Sequence, residues 1–231
     1  MSFLFKSKTR NASDLVTSLQ EDLEKLDSLN TLDSDHQNLR DEVSRNIGHV
    51  RAILGEESGS ELKEASHQIK NELISKNVIM TLVTKFDLIN FESRKDVHHI
   101  FTNLFYEDKG VEDKVVEYFI HHDEILNTLI KGYENPEIAL LCGMSLRECF
   151  RHEKIAQKYM DLAFELFRFI KMPNFDVSSD AFATLKELLE KHKKPVSDFL
   201  EARYDEFFVQ YSLLLTSDNY RTRRQSLKVP P

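Results

Sequence analysis

Two pairs of histidines are the first candidates for metal chemistry in this sequence. His98 and His99 are adjacent, and so are His121 and His122. Neighbouring residues on a helix point about 100° apart, so neither pair can hold one ion from one face. We therefore expect these histidines to be surface or half-buried side chains and not ligands.

An acidic segment that begins at Asp33 resembles the start of a calcium loop, with Asp35 and Gln37 at its third and fifth positions. Such a loop needs glycine at the sixth position and glutamate at the twelfth, where this sequence has Asn38 and Ser44. The sequence also lacks a Gly-rich phosphate loop, an HExxH motif and a nucleophile elbow. We expect no catalytic residues, no metal site, no cofactor and no enzyme activity.

A cluster of aromatic and basic residues near the C-terminal end has the chemistry of a protein-binding site. Tyr220, Arg224 and Lys228 are spaced by four, so a helix would place them on one face. Tyrosine and arginine are enriched at the hot spots of protein interfaces. An exposed charged helix would show the same spacing, so the cluster alone leaves both interpretations open. Ser226 follows three arginines, as in a basophilic kinase site, but the repeat described below turns it toward the core.

Charge and cysteine usage exclude several other classes of function. The net charge is −8, with three basic residues in positions 1–10 and four in positions 221–231, which leaves the interior at −15. So acidic an interior repels phosphate backbones, and we expect no nucleic-acid partner. Cys142 and Cys149 would lie about 10.5 Å apart on one helix, too far for a disulfide. With no apolar run long enough to span a membrane, we expect a cytoplasmic protein.

A sequence pattern that occurs four times along the chain predicts the helices that position these residues. Each copy begins at an asparagine followed by a bulky or cyclic residue, and the copies start 45, 39 and 45 residues apart. Offsets of six, ten and thirteen are apolar in the first three copies, which is one face of a helix. These spacings predict an all-α, right-handed armadillo- or HEAT-like solenoid of about four repeats, the last one incomplete. The starting pairs are Asn90/Phe91, Asn135/Pro136, Asn174/Phe175 and Asn219/Tyr220.

The predicted domain organisation follows from this repeat. We expect a disordered basic N-terminus over residues 1–12, capping helices over 13–55, armadillo-like repeats over 61–228 and a tail over 229–231. In the first capping helix, Ser13 is the expected N-cap and the buried face consists of Leu15, Leu19, Leu23 and Leu26. The last helices of the repeats are expected to start near residues 91, 136, 175 and 220.

Three long strings resemble the calcium-binding protein 39 family of armadillo-like scaffold proteins. They are LIKGYENPEIALLCGMSLRECFRHE (129–153), NFDVSSDAFATLKELLEKHK (174–193) and DNYRTRRQSLK (218–228), and the similarity extends from MSFLFKSK to Lys228. The resemblance implies a cytosolic, non-enzymatic adaptor that binds a pseudokinase and sterile-20-like protein kinases through its concave surface. It also implies a second pocket for a short hydrophobic peptide of the partner.

The resemblance also implies which residues contact the kinase. Family concave-surface positions match Phe175 and Tyr220, with Arg224 and Lys228 on the same final helix. Family members continue for about a hundred residues beyond this point, so we expect a C-terminally truncated member with impaired kinase activation. The alternative is a helical structural module that associates with itself through an uncapped C-terminal repeat.

Overall fold

The computed structural model describes residues 11–28, 34–55, 60–106 and 109–228. Within these ranges the regular structure consists of α-helices and one 3₁₀ turn, and no strand occurs. The predicted all-α helical-repeat class is confirmed. The predictions for residues 1–10 and for the tail at 229–231 lie outside the described residues. The helices form two compact units, one ending at Tyr118 and one beginning at Phe119.

The first unit contains five helices and most of a sixth, which crosses the boundary between the units. The helix α1 packs against α2, α3 and α4, and α2 also packs against α5. Because the four predicted leucines of α1 are all buried, its apolar face is confirmed. The bounds are α1 Ala12–Ser28, α2 Ser34–Gly55, α3 Ser60–Ser75, α4 Val78–Thr84, α5 Phe91–Leu104 and α6 Lys109–His121.

The predicted N-cap of α1 is wrong, because the helix starts at Ala12, two residues earlier than a Ser13 cap requires. The carbonyl of Asn11 accepts the Leu15 amide at 3.0 Å, and its side-chain oxygen accepts the Ser13 amide at 3.4 Å. The Ser13 hydroxyl instead donates to Glu72 Oε2 on α3 at 3.0 Å. Lys76 Nζ donates to Ser13 Oγ at 2.9 Å and lies 2.7 Å from the same Glu72 oxygen. Ser13 therefore links two helices of the first unit.

This link makes the stability of the first unit depend on pH. Hydrogen bonds from Lys76 and, more weakly, from Ser13 hold the pKa of Glu72 below its usual 4.5. A lowered pKa stabilises the fold above the unfolded-state pKa, and that contribution is lost as pH falls through the folded-state pKa. Glu72→Gln should cost up to about 1 kcal/mol of unfolding free energy near pH 7, and this cost should shrink as the pH falls through the folded-state pKa of Glu72. Urea unfolding of both proteins over a series of neutral to acidic pH values measures this, with the exposed Glu24→Gln as background; a cost that does not change with pH would contradict it.

The second unit continues the helical pattern. In it, α8 packs against α7, α9 and α11, while α10 packs against α11 and α13. The last helix, α14, packs on α13. The bounds are α7 Asp123–Lys131, a 3₁₀ turn Gly132–Glu134, α8 Ala139–Phe150, α9 Glu153–Lys158, α10 Leu162–Ile170, α11 Phe175–Glu190, α12 Lys193–Ala202, α13 Tyr204–Leu215 and α14 Tyr220–Ser226.

The repeat pattern recurs in the structure at the level of single residues. The side chains of Asn90, Asn174 and Asn219 each accept backbone amides in the first turn of α5, α11 and α14, as N-caps do. All positions at offsets six, ten and thirteen are buried: Val97, Phe101, Leu104, Cys142, Leu146, Cys149, Ala181, Leu185, Leu188 and, in the last copy, Ser226. The offsets therefore identify the core face in each copy.

The second copy departs from the prediction at its start. Asn135 accepts the Glu137 amide at 3.0 Å through its side chain, but the regular helix α8 begins at Ala139 and not at Pro136. The Asn135 carbonyl accepts the amides of both Ile138 and Ala139, at 3.1 and 3.0 Å. A tight turn therefore separates Pro136 from the start of the helix, whereas the sequence predicted that the helix begins at this proline.

Candidate protein-binding surface

Helix α14 presents most of the predicted aromatic and basic cluster to solvent. Tyr220 is 64% exposed, and the arginines of this helix are exposed as well. Arg224 lies one turn after Tyr220 on the same helix. Lys228 is also exposed but follows the end of α14 by two residues, where its amide donates to the Gln225 carbonyl at 2.9 Å. The predicted common face therefore holds for two residues, and Lys228 lies beyond it.

Phe175 lies next to this cluster, in contact with one of its arginines. It is the first residue of α11, and 49% of it is exposed. The guanidinium carbon of Arg221 lies 4.5 Å from the centre of the Phe175 ring, a cation–π contact. A shallow cleft beside this contact is lined by Phe182 of α11 and by Thr222 and Gln225 of α14.

Arg221 belongs to the aromatic and basic cluster near the C-terminal end, but the sequence did not single it out as a partner-binding residue. It stands one position after the aromatic residue of its own repeat, and its partner is the aromatic residue of the preceding repeat. The two residues stand at the starts of successive repeats, which was the available signal. Only the packing of neighbouring repeats shows that the two side chains meet.

The part of this surface that α14 and the two residues after it contribute is positively charged. Four basic residues and no acidic one occupy positions 219–228. Arg223 donates to the Ser217 carbonyl at 3.0 Å, and within the described part of the chain no carboxylate forms an ion pair with any of the four. Such cations remain available to an acidic partner, and opposite charge speeds and orients association.

The first residue after each capping asparagine is exposed in every repeat. In the first unit Phe91 is 58% exposed, and Lys95 Nζ lies 4.3 Å from the centre of its ring. Pro136 is exposed in the second copy. On α8, Leu140 and Met144 are partly exposed one turn apart. An exposed aromatic with a cation beside it is thus a recurrent feature of these repeats, found at Phe91 and again at Phe175.

A cluster of polar side chains fixes the packing of α8 against α11 in the second unit. Arg147 donates to Asp180 Oδ1 at 2.9 Å, Asp180 Oδ2 at 3.0 Å and Thr184 Oγ1 at 2.7 Å. The Tyr133 hydroxyl lies 2.7 Å from Asp180 Oδ2 and 2.8 Å from Thr184 Oγ1. Burial first, and then the charge of Asp180, raise the pKa of Tyr133 far above its usual range, so the phenol stays neutral. This cluster has the chemistry of a structural link.

Two of the other candidates for chemistry, the His98/His99 pair and the segment around Asp35, belong to the first unit. His98 and His99 are both in α5, with ring centres 5.9 Å apart. Among the residues that the structure describes, no group of three or more His, Cys, Asp or Glu side chains could hold a metal ion. Asp35 and Gln37 lie in the first turn of α2, which is helix instead of a calcium loop. Over the same described ranges, no helix is both long and apolar enough to cross a membrane.

The helices, their recurring asparagine caps and their buried faces define an all-α helical-repeat protein. The family comparison is more specific: the Mo25-like family model matches residues 3–229, and the chain belongs to this family. The resemblance stated from the sequence is thereby confirmed.

Several relatives share this similarity over most of the chain. Calcium-binding protein 39-like of Homo sapiens is 40% identical over 229 residues, which cover 98% of this chain and 67% of that protein. MO25-like protein 2 of Caenorhabditis elegans is 36% identical over 231 residues, covering 98% and 68%. Among solved structures, a designed armadillo repeat protein in complex with the peptide (KR)4 is similar with a TM-score of 0.47 at 13% identity, over 95% of this chain and 98% of that one.

Proposed function

We propose that this chain is a non-enzymatic, cytoplasmic scaffold that binds sterile-20-like protein kinases and a pseudokinase. Membership of the Mo25-like family supports a scaffold role. The observation that carries the proposal is the contact of Arg221 with Phe175, because it joins two exposed aromatic residues of successive repeats into one surface. Phe175, Tyr220, Arg224 and Lys228 are the proposed partner-binding residues, and Arg221 joins them.

The chemistry of this surface suits a kinase helix that carries both apolar and acidic side chains. Exposed rings of Phe175 and Tyr220 offer apolar area at little cost in conformational entropy. The arginines offer charge-assisted hydrogen bonds to carboxylates. If the surface binds the active arrangement of the kinase more tightly than the inactive one, binding shifts the kinase toward the active state.

Loss of Tyr220 or Arg224 should weaken this binding strongly. We expect Tyr220→Ala and Arg224→Ala each to raise the dissociation constant about 30-fold, the effect of losing a hot-spot residue of about 2 kcal/mol. Titration calorimetry with a purified sterile-20-like kinase domain, and separately with the pseudokinase, measures this. Tyr204→Ala and Lys194→Ala are matched controls, because both residues are exposed elsewhere on the second unit. Equal affinity of all four variants would contradict the proposed surface.

Binding and activation are measured separately. The kinase activity at saturating concentrations of this chain tests activation, and a relative such as calcium-binding protein 39-like gives the reference. Binding without activation would leave the chain a docking scaffold and would contradict the activating role.

A second candidate is a helical module that associates with itself. It is supported by apolar side chains on the outer face of α13, where Val209 is 61% and Leu213 is 51% exposed, and by Leu227, which is 73% exposed. Apolar surface of this kind favours assembly. Light scattering of the free chain distinguishes the two: a mass of several chains without kinase binding would favour self-association.

A further inference from the structure

The one buried side chain of α14 belongs to Ser226. Only 1% of this residue is exposed, whereas the tyrosine and the arginines of the helix face solvent. Its hydroxyl donates to the Arg223 carbonyl at 2.8 Å. Its carbonyl accepts the hydroxyl of Tyr211, a buried residue of α13. Ser226 and Tyr211 therefore form the main described polar contact between α14 and α13.

The sequence before Ser226 is that of a substrate for a kinase that selects basic residues. Arg221, Arg223 and Arg224 stand five, three and two positions before the serine. Charge patterns of this kind determine which kinase accepts a site. The three guanidinium groups are exposed and could be bound first, whereas the hydroxyl that would be phosphorylated is hidden.

The attachment of α14 is weak enough for this serine to become exposed. The helix has seven residues, and none of its apolar side chains is buried. Helices this short do not persist without tertiary contacts. Segments with few buried apolar contacts open at a small part of the global unfolding free energy. The rings of Phe167 of α10 and Phe199 of α12 pack against that of Phe207 of α13, with centre-to-centre distances of 5.4 and 6.0 Å. Opening of α14 alone would expose Ser226 and leave this aromatic cluster intact.

We propose that Ser226 is a phosphorylation site for a basophilic serine/threonine kinase, modified when α14 opens locally, and that the phosphate then keeps α14 detached. In the transfer, the Ser226 Oγ forms a bond with the γ-phosphorus of ATP. The bond from that phosphorus to the β,γ-bridging oxygen breaks, and ADP leaves. The hydroxyl proton passes to the catalytic carboxylate of the modifying kinase.

Phosphoserine cannot return to the position that Ser226 occupies. It adds a charge of about −1.5 to −2 and three acceptor oxygens, whereas Ser226 is only 1% exposed and solvent has little access to it. Burial and the negative charge of Glu190 raise the pKa of Tyr211, which contacts Ser226. The surroundings of Tyr211 therefore disfavour a negative charge. If the proposed docking surface is correct, release of α14 would also remove Tyr220 and Arg224 from it.

The catalytic subunit of cyclic-AMP-dependent protein kinase, with ATP, is the probe for this site. Intact-mass spectrometry and peptide mapping should find one phosphate, on Ser226, and none on the Ser226→Ala variant. Tyr211→Phe keeps the ring but loses the hydrogen bond, so a larger open fraction should raise the initial rate about fivefold. Tyr204→Phe, an exposed tyrosine on the same helix, should leave the rate unchanged.

Hydrogen exchange of residues 220–228 tests the second part of the proposal. After phosphorylation these amides should lose their protection, while those of α11 keep it. Three results would overturn the inference: phosphate on the Ser226→Ala variant at the same level, no modification of the chain under conditions that fully modify a peptide of residues 218–228, or retained protection after modification. No partner kinase is present, so failure here leaves the docking proposal untouched.

Discussion

The Gly143→Ala variant is expected to lose about 3 kcal/mol or more of its free energy of unfolding. Gly143 is buried in α8. A Cβ atom on it would overlap Asp180 Oδ2 and the Tyr133 hydroxyl oxygen, and would lie 3.0 Å from Asp180 Cγ. Neither neighbour can move aside cheaply, because Asp180 is held by two hydrogen bonds from Arg147 and Tyr133 is fully buried. Urea unfolding followed by circular dichroism measures the loss as a lower transition midpoint.

Gly48→Ala is the matched control for this variant. Gly48 is also inside a helix, α2, but the nearest atom to its added Cβ would be Asp96 Oδ2 at 4.0 Å. Alanine favours a helix interior over glycine by about 0.5–1 kcal/mol, so this variant should gain stability. The two glycines are thus predicted to respond with opposite signs. If Gly143→Ala were as stable as Gly48→Ala, Asp180 and Tyr133 would be able to move away from the added Cβ with no loss of stability, and the prediction would be wrong.

Local sequence signals predicted the core face of the repeats well. An asparagine cap and apolar residues at steps of four and three both depend on residues of a single helix. The packing of neighbouring helices therefore changes these signals little. For this reason even the polar Ser226 could be placed inward from its offset alone. The exposure of Phe175 and Tyr220 follows from the same offsets, since the first helical residue after the cap points away from that face.

Contacts between repeats could not be predicted in this way. Arg147 and Asp180 are 33 residues apart, and each looks in sequence like part of a solvated helix face. Their pairing depends on how α8 packs against α11, which no local pattern contains. The N-cap prediction for Ser13 was wrong for the same reason, because its hydroxyl is bonded to Glu72 on α3 and to Lys76, which follows the end of that helix. The position of Arg221 over Phe175 likewise needs two adjacent repeats.

Asp180→Leu should lower the free energy of unfolding by about 3 kcal/mol. The carboxylate accepts hydrogen bonds from Arg147 and from the Tyr133 hydroxyl, and only 14% of the Asp180 side chain is exposed. Removing one partner of a largely buried pair leaves the other charge in a poor solvent, which costs more than the pair itself contributes. The Arg147 side chain is only 23% exposed, so water can replace its lost partner in part at most. Urea unfolding gives the value.

A double-mutant cycle separates that desolvation cost from lost packing. Arg147→Met combined with Asp180→Leu removes both charges and keeps much of the volume, and Thr184 still lies 2.8 Å from the Tyr133 hydroxyl. The double variant should therefore regain about 2 kcal/mol relative to the sum of the single variants. Additive losses would instead mean that shape, and not charge, holds α8 against α11. A coupling of about 2 kcal/mol between Arg147 and Asp180 would show that this ion pair specifies which faces of α8 and α11 meet. The reason is that either charge without its partner destabilises the contact between these helices.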